Sequence, residues 1–214
     1  GMKHSVEWWG KGRGVSRIMR RTGQSRGAQN PHTKGGRRAH GPKVEKNWGR
    51  KLNLKERRLA RDSALTATTS VETVSARGHR FSEDISALPI VLGTYAEVRD
   101  GKTEKFSIEA FNHGSATRKV LAIFNEIGLG ADLNRARDGR NIRAGKATMR
   151  GRVHKTPKSV LLVVKDKSGL AQAARNLPGV DVVAARDLCA EDLAPGGAIG
   201  RLTVFTKDAV EALN

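Results

Sequence analysis

Residues able to make or break bonds are few in this chain and poorly spaced for it. The histidines, His4, His32, His40, His79, His113 and His154, show no H-x-x-x-H spacing and no grouping with the single Cys189, so neither a metal set nor a Cys/His couple is indicated. Cys189 reads instead as a small semi-buried residue. The adjacent carboxylates Glu83-Asp84 and Glu191-Asp192 occupy turn-like, Ser- or Pro-flanked contexts, where helix capping or solvation is the ordinary role. GKGRG at 10–14 lacks the G-x-x-x-x-G-K-[ST] spacing of a phosphate loop, and APGGAIGR at 194–201 leads into a strand whereas a dinucleotide fingerprint leaves one. That second loop reads as a tight connection that meets RNA through its backbone or packs on its own sheet. No catalytic residue, metal, cofactor or small-molecule substrate is expected.

The chemistry these residue types do support is ionic. The first 50 residues hold 13 Lys/Arg against Glu7 and Glu45, with ten glycines and the tryptophans Trp8, Trp9 and Trp48. Arg supplies planar phosphate forks, Gly permits close backbone approach, and indole faces can stack unpaired bases or pack on a folded domain. The whole chain, 214 residues long, carries a formal charge of +19, of which +14 falls in residues 1–78. With a pI near 10.9, that asymmetry is the footprint of a polyanion-binding protein, in which displaced counterions supply most of the affinity. A second basic stretch, RARDGRNIRAGKATMRGRVHKTPK at 135–158, has nine Lys/Arg, one acid (Asp138) and no apolar period. It reads as an irregular insertion lying on the same polyanion.

These segments need elements to hold them. The arm cannot bury enough apolar surface to order itself, so it needs its partner. At Asn53 the pattern changes: Asn53 with Glu56 resembles a capping box, and the spacing predicts a helix over 54–69 with Ala60, Ala64, Ala67 and Val71 inward and Lys55, Arg57, Arg58 and Arg61 mostly outward. After a turn at Arg77-Gly78 come the strand PIVL (89–92) and a helix capped by Ser115, with Val120, Ile123, Phe124 and Ile127 on one face, stopped by Gly128. The continuous apolar run SVLLVV (159–164) is a strand covered on both faces. A helix with Leu170, Ala173, Ala174 and Leu177, the strands DVVAA (181–185) and RLTVFT (201–206), and a last helix capped by Thr206 with Ala209, Val210 and Leu213 inward complete the chain. The alternation is that of an α/β domain on a mostly parallel sheet.

No apolar run reaches the roughly 18 residues of a membrane span, no signal-peptide core is present, and the glycine-broken arm has no amphipathic period, so no membrane partner is expected. One cysteine fits a reducing cytoplasm. On charge alone three readings stay open: an RNA-binding structural protein, a DNA-binding or DNA-compacting protein, and a nucleotide-binding α/β enzyme.

Four blocks in order, KGRGVSRI (11–18), RRAHGPKVEKNWGRKLNLKERRLARDSALTATT (37–69), IRAGKATMRGRVHKTPKSVLLVV (142–164) and LAPGGAIGRLTVFT (193–206), resemble the family of the fourth protein of the large ribosomal subunit. The branch is the archaeal and eukaryotic one, and the missing basic C-terminal extension favours the archaeal side. The resemblance implies a structural, non-enzymatic part of the cytoplasmic ribosome: a three-layer α/β domain (53–214) with helices on both faces of the sheet, and a long irregular basic loop (1–52) penetrating rRNA. Its partners would be large-subunit rRNA, neighbouring large-subunit proteins and, near the loop tip, the nascent peptide in the exit tunnel.

Carried onto this chain, the resemblance makes Arg13–Arg38 the tip region and Arg38–Arg50 the returning limb. The expected rRNA contacts are Lys11, Arg13, Arg17, Arg20, Arg21, Arg26, Lys34, Arg37, Arg38, Lys43, Lys46, Trp48 and Arg50 in the loop, and Arg143, Lys146, Arg150, Arg152 and Lys155 in the second segment. Arg17, Ile18, Met19 and Arg20 are the expected tunnel-lining residues. Family members open with a strand or hairpin and a helix before the loop. The expectation here is that this part is lacking and that the chain is less stable for it.

Overall fold

A computed structural model describes residues 5–99, 102–108, 116–167 and 169–213, arranged as two compact units, Gly1–Lys51 and Leu52–Asn214. In the first unit, strand β1 (Val6–Glu7) pairs antiparallel with β2 (Arg20–Arg21). Met19 O accepts a 2.8 Å bond from Ala28 N–H, and Gly27 and Ala28 are buried. The arm is therefore less bare than its composition implies. Backbone pairing, rather than an apolar core, gives it local order.

The second unit opens with α1 (Leu54–Thr69), at the bounds the spacing predicts. Its inner face differs from expectation: Ala64 and Thr68 are buried, while Ala60 is exposed. A threonine can take a core position here because its hydroxyl donates to Leu65 O at 2.7 Å. The expected capping box does not form, since the Asn53 side chain makes no capping bond. Ser70 ends α1 and caps a separate short helix, α2 (Val71–Ala76), which leaves Val71 37% exposed.

Strand β3 (Ile90–Leu92) follows, then an antiparallel pair β4 (Thr94–Arg99) and β5 (Lys102–Ser107) that the sequence pattern does not announce. Helix α3 (Ala116–Glu126) buries Val120, Ile123 and Phe124; the proposed cap Ser115 lies outside the described residues. Gly128 (φ +92°) stops it, and the bonds Gly128 N–H to Asn125 O and Leu129 N–H to Phe124 O satisfy the last carbonyls. Helix α4 (Gly130–Asp138) comes next, followed by the short antiparallel strands β6 (Asn141–Ile142) and β7 (His154–Lys155).

Strand β8 (Leu161–Val164), helix α5 (Gly169–Ala174), strand β9 (Asp181–Ala184), helix α6 (Ala190–Leu193), strand β10 (Thr203–Thr206) and helix α7 (Lys207–Leu213) close the chain. The main sheet has the order β3-β10-β8-β9, all parallel. Because strand side chains alternate, β8 feeds two cores: Leu162 and Val164 pack with Val120, Phe124, Leu133 and Leu170, while Leu161 and Val163 pack with Ala64, Leu193 and Ala209. That is a three-layer α/β domain with helices on both faces. All four β8 side chains are buried, each contributing about 1.5–3 kcal/mol of hydrophobic stabilisation. In α7, Thr206 Oγ1 accepts from Ala209 N–H at 3.3 Å as its capping role predicts, but Val210 is 38% exposed rather than inward.

Candidate nucleic-acid interface

The stretch 135–158 is not irregular throughout. Arg135–Asp138 completes α4, where Ala136 is fully buried, and β6 and β7 form the sides of a hairpin whose head is a 3-10 turn, Gly145–Arg150. Arg143 stitches the two sides, its N–H to Val153 O at 2.8 Å and its Nε to His154 O at 3.0 Å. Arg143, Lys146, Arg150, Arg152 and Lys155 are all exposed, and none pairs with a carboxylate among the described residues. Ile142 and Met149, 71% and 79% exposed, add apolar surface beside those charges.

The root of this hairpin is held by a buried carboxylate. Asp132 accepts bonds from His79 Nδ1 (3.1 Å), Arg80 N–H (3.0 Å), Arg135 Nε (2.8 Å) and Ser159 Oγ (2.5 Å). Burial pushes its carboxyl up, but the bonds from His79, Arg135 and Ser159 outweigh that and hold it well below the usual carboxylate range. Arg135 Nη2 reaches on to Lys158 O at 2.8 Å, tying the two ends of the hairpin together. Arg201, also buried, donates to Ser159 O (3.0 Å), Asp192 O (2.9 Å) and Asp181 Oδ2 (2.6 Å), and Lys158 Nζ lies 2.7 Å from the same Asp181 oxygen. No local pattern reveals these residues: His79 and Asp132 are 53 positions apart, and Arg201 reads as one more strand residue.

In the first unit, Lys11, Arg13, Arg17, Arg26, Lys34, Arg37, Arg38, Lys43, Lys46, Trp48 and Arg50 are exposed, and Arg20 and Arg21 are half-buried. The Arg13 and Arg20 guanidinium carbons lie 5.1 Å and 5.4 Å from the centre of the Trp9 ring, and the Arg20 guanidinium also bonds Ser25 O and Ser16 Oγ. Of the expected tunnel-lining residues, Arg17 and Met19 are exposed. Ile18 is half-buried, and Arg20 is paired in β2 with Glu7 and bridged to Gly27.

The glycine-rich loop 194–201 turns out to be a packing element. Its carbonyls at Pro195 and Ala198 accept from the Arg77 guanidinium, and a Cβ on Gly200 (φ +82°) would stand 2.5 Å from Thr73 O. Cys189 is exposed rather than semi-buried, its thiol 3.0 Å from Asp192, which caps α6. Among the described residues no His, Cys, Asp or Glu group is arranged to hold a metal ion, and no helix is long and apolar enough to cross a membrane.

Comparison with known proteins agrees with this picture. The model of the ribosomal protein L4/L1 family matches residues 2–214. The chain is 45% identical to the large ribosomal subunit protein uL4 of Methanococcus maripaludis, over 100% of this chain and 78% of the relative. It is 42% identical to that of Halobacterium salinarum over 99% and 77%, and 46% identical to that of Pyrobaculum aerophilum over 100% and 71%. A family match across nearly every residue, with relatives at this identity over most of their own length, places the chain: it belongs to the ribosomal protein L4/L1 family.

Proposed function

We propose that this chain is a structural, non-catalytic component of the archaeal large ribosomal subunit in the cytoplasm, binding large-subunit rRNA and neighbouring ribosomal proteins. Two basic segments make the rRNA contacts, the loop of residues 1–52 and the hairpin within 135–158, while the rest of 53–214 is the domain that anchors them. The observation that carries this reading is the set of exposed cations at Arg143, Lys146, Arg150, Arg152 and Lys155, which face no carboxylate among the described residues and stand on a hairpin with a fixed root. Such charges self-repel and favour a partner that brings negative charge. Phosphates from converging RNA strands fit that requirement.

The finer part of the proposal is that Arg17–Arg20 approach the nascent peptide in the exit tunnel. The exposure of Arg17 and Met19 supports those two as the residues that reach it. Binding to fragments of large-subunit rRNA and to duplex DNA of equal charge tests the main reading. Preference for the rRNA is expected, from its 2′-hydroxyls and irregular shape, and equal affinity would favour a DNA-binding role. A photo-crosslinker at Met19 should label a stalled nascent chain, and one at Ile142 should not. Equal labelling would remove the tunnel assignment.

A further inference from the structure

The segment from Arg38 to Trp48 borders an open surface pocket of about 480 Å³, lined by Arg38, His40, Pro42, Lys43, Lys46 and Trp48 among others. Its size falls within the roughly 300–1,000 Å³ of sites that hold small molecules. Three of its walls are cationic, no acid lines it, and Arg38, Lys43 and Lys46 face no carboxylate among the described residues. Trp48 is 70% exposed. Its position is set by local bonds: Asn47 Oδ1 accepts from Gly49 N–H at 2.9 Å, bracketing the tryptophan, and Lys46 N–H donates to Lys43 O at 3.4 Å. Pro42 restricts the backbone within this segment.

A surface meant only for duplex phosphates needs neither a concavity nor an aromatic wall. A planar indole beside three cations matches a different object, one heterocyclic base together with its phosphate. Base stacking on Trp48 requires a base that is not already stacked and paired, which in RNA means a bulged or extruded nucleotide. We infer that this cavity holds a single unpaired RNA nucleotide, its base against Trp48 and its phosphate among Arg38, Lys43 and Lys46, with His40 offering a ring nitrogen as donor or acceptor. The inference rests on the rRNA-binding reading and adds to it a defined receptor for one nucleotide, where charge alone would give only diffuse contact.

The test uses the full chain and two RNA hairpins with the same number of nucleotides, one with 2-aminopurine bulged from the stem and one with it paired. The bulged hairpin should bind roughly tenfold tighter, given the usual worth of one base stacked on an aromatic side chain, and its fluorescence should change on binding. Trp48→Ala should bring the two affinities within about twofold by weakening the bulged hairpin more than the paired one, and Trp48→Phe should keep most of the preference. The exposure of Trp48 means that neither substitution removes core packing. Equal wild-type affinities, a preference that survives Trp48→Ala, or equal weakening of both hairpins would overturn the inference. So would saturable micromolar binding of AMP alone that Trp48→Ala abolishes, since the cavity would then be a free-nucleotide site. If both hairpins bind equally while rRNA is still preferred over DNA, only the cavity assignment fails. If neither binds better than duplex DNA, the rRNA-binding reading fails with it.

Discussion

Arg135 Nε lies 2.8 Å from Asp132 Oδ1, one turn earlier on the same helix, and the other end of that guanidinium bonds Lys158 O. The Asp132 side chain is fully buried, whereas Arg135 is about one-quarter exposed, so the pair spans from the core to the root of the basic hairpin. A charge buried this deeply is tolerable only while its partners remain in place.

Asp132→Ala should therefore destabilise the protein by about 3–5 kcal/mol, because it strands donors from His79, Arg80, Arg135 and Ser159 at once. Equilibrium urea unfolding measures this. A loss under about 1 kcal/mol, the scale of an exposed ion pair, would mean that the network adds little.

Acid sensitivity follows from the same group. The Asp132 carboxyl is held below its unfolded value, which is near 3.9, so its stabilisation is complete above that pH and is lost as pH falls through the lower folded value. Asp181, shifted the same way although burial opposes it, because Lys158 and Arg201 bond it, acts in the same window. Stability measured from pH 6 downward should be flat to about pH 4 and then fall. In Asp132→Asn the decline should be shallower, and an unchanged slope would assign acid sensitivity to other carboxylates.

Much of the domain is legible in the sequence for a simple reason. Residues 161–164 form an unbroken β-branched and leucine run, which is what a strand buried on both faces requires; all four are buried. The limits 54–69 of α1 are equally plain, yet its face is not, because Thr68 is as buried as Ala64 and nothing in composition says that its hydroxyl finds a carbonyl. Helix α4 escapes pattern reading because GADLNRARD is mostly polar and one of its three buried residues is Asp132. The hairpin escapes it because its strands are two residues each. At the interface, the cations are visible as composition, but the network that fixes their root depends on bonds between distant segments.

Replacing Arg143, Lys146, Arg150, Arg152 and Lys155 together with Gln should lower the steepness of the log affinity against log salt relation for rRNA fragments. Each phosphate that these side chains no longer neutralise should take about 0.7–0.9 off that slope. The five side chains are exposed and bear no core packing, so the thermal midpoint should stay within a few degrees. A slope that does not change would place the rRNA contact elsewhere.

The most direct measurement is whether the protein stays with large ribosomal subunits through a high-salt wash on a sucrose gradient. An integral component whose charges are buried among rRNA phosphates should remain at stoichiometric level in the large-subunit peak at salt that strips peripheral factors. Quantitative release at moderate salt, or its absence from that peak, would contradict the account.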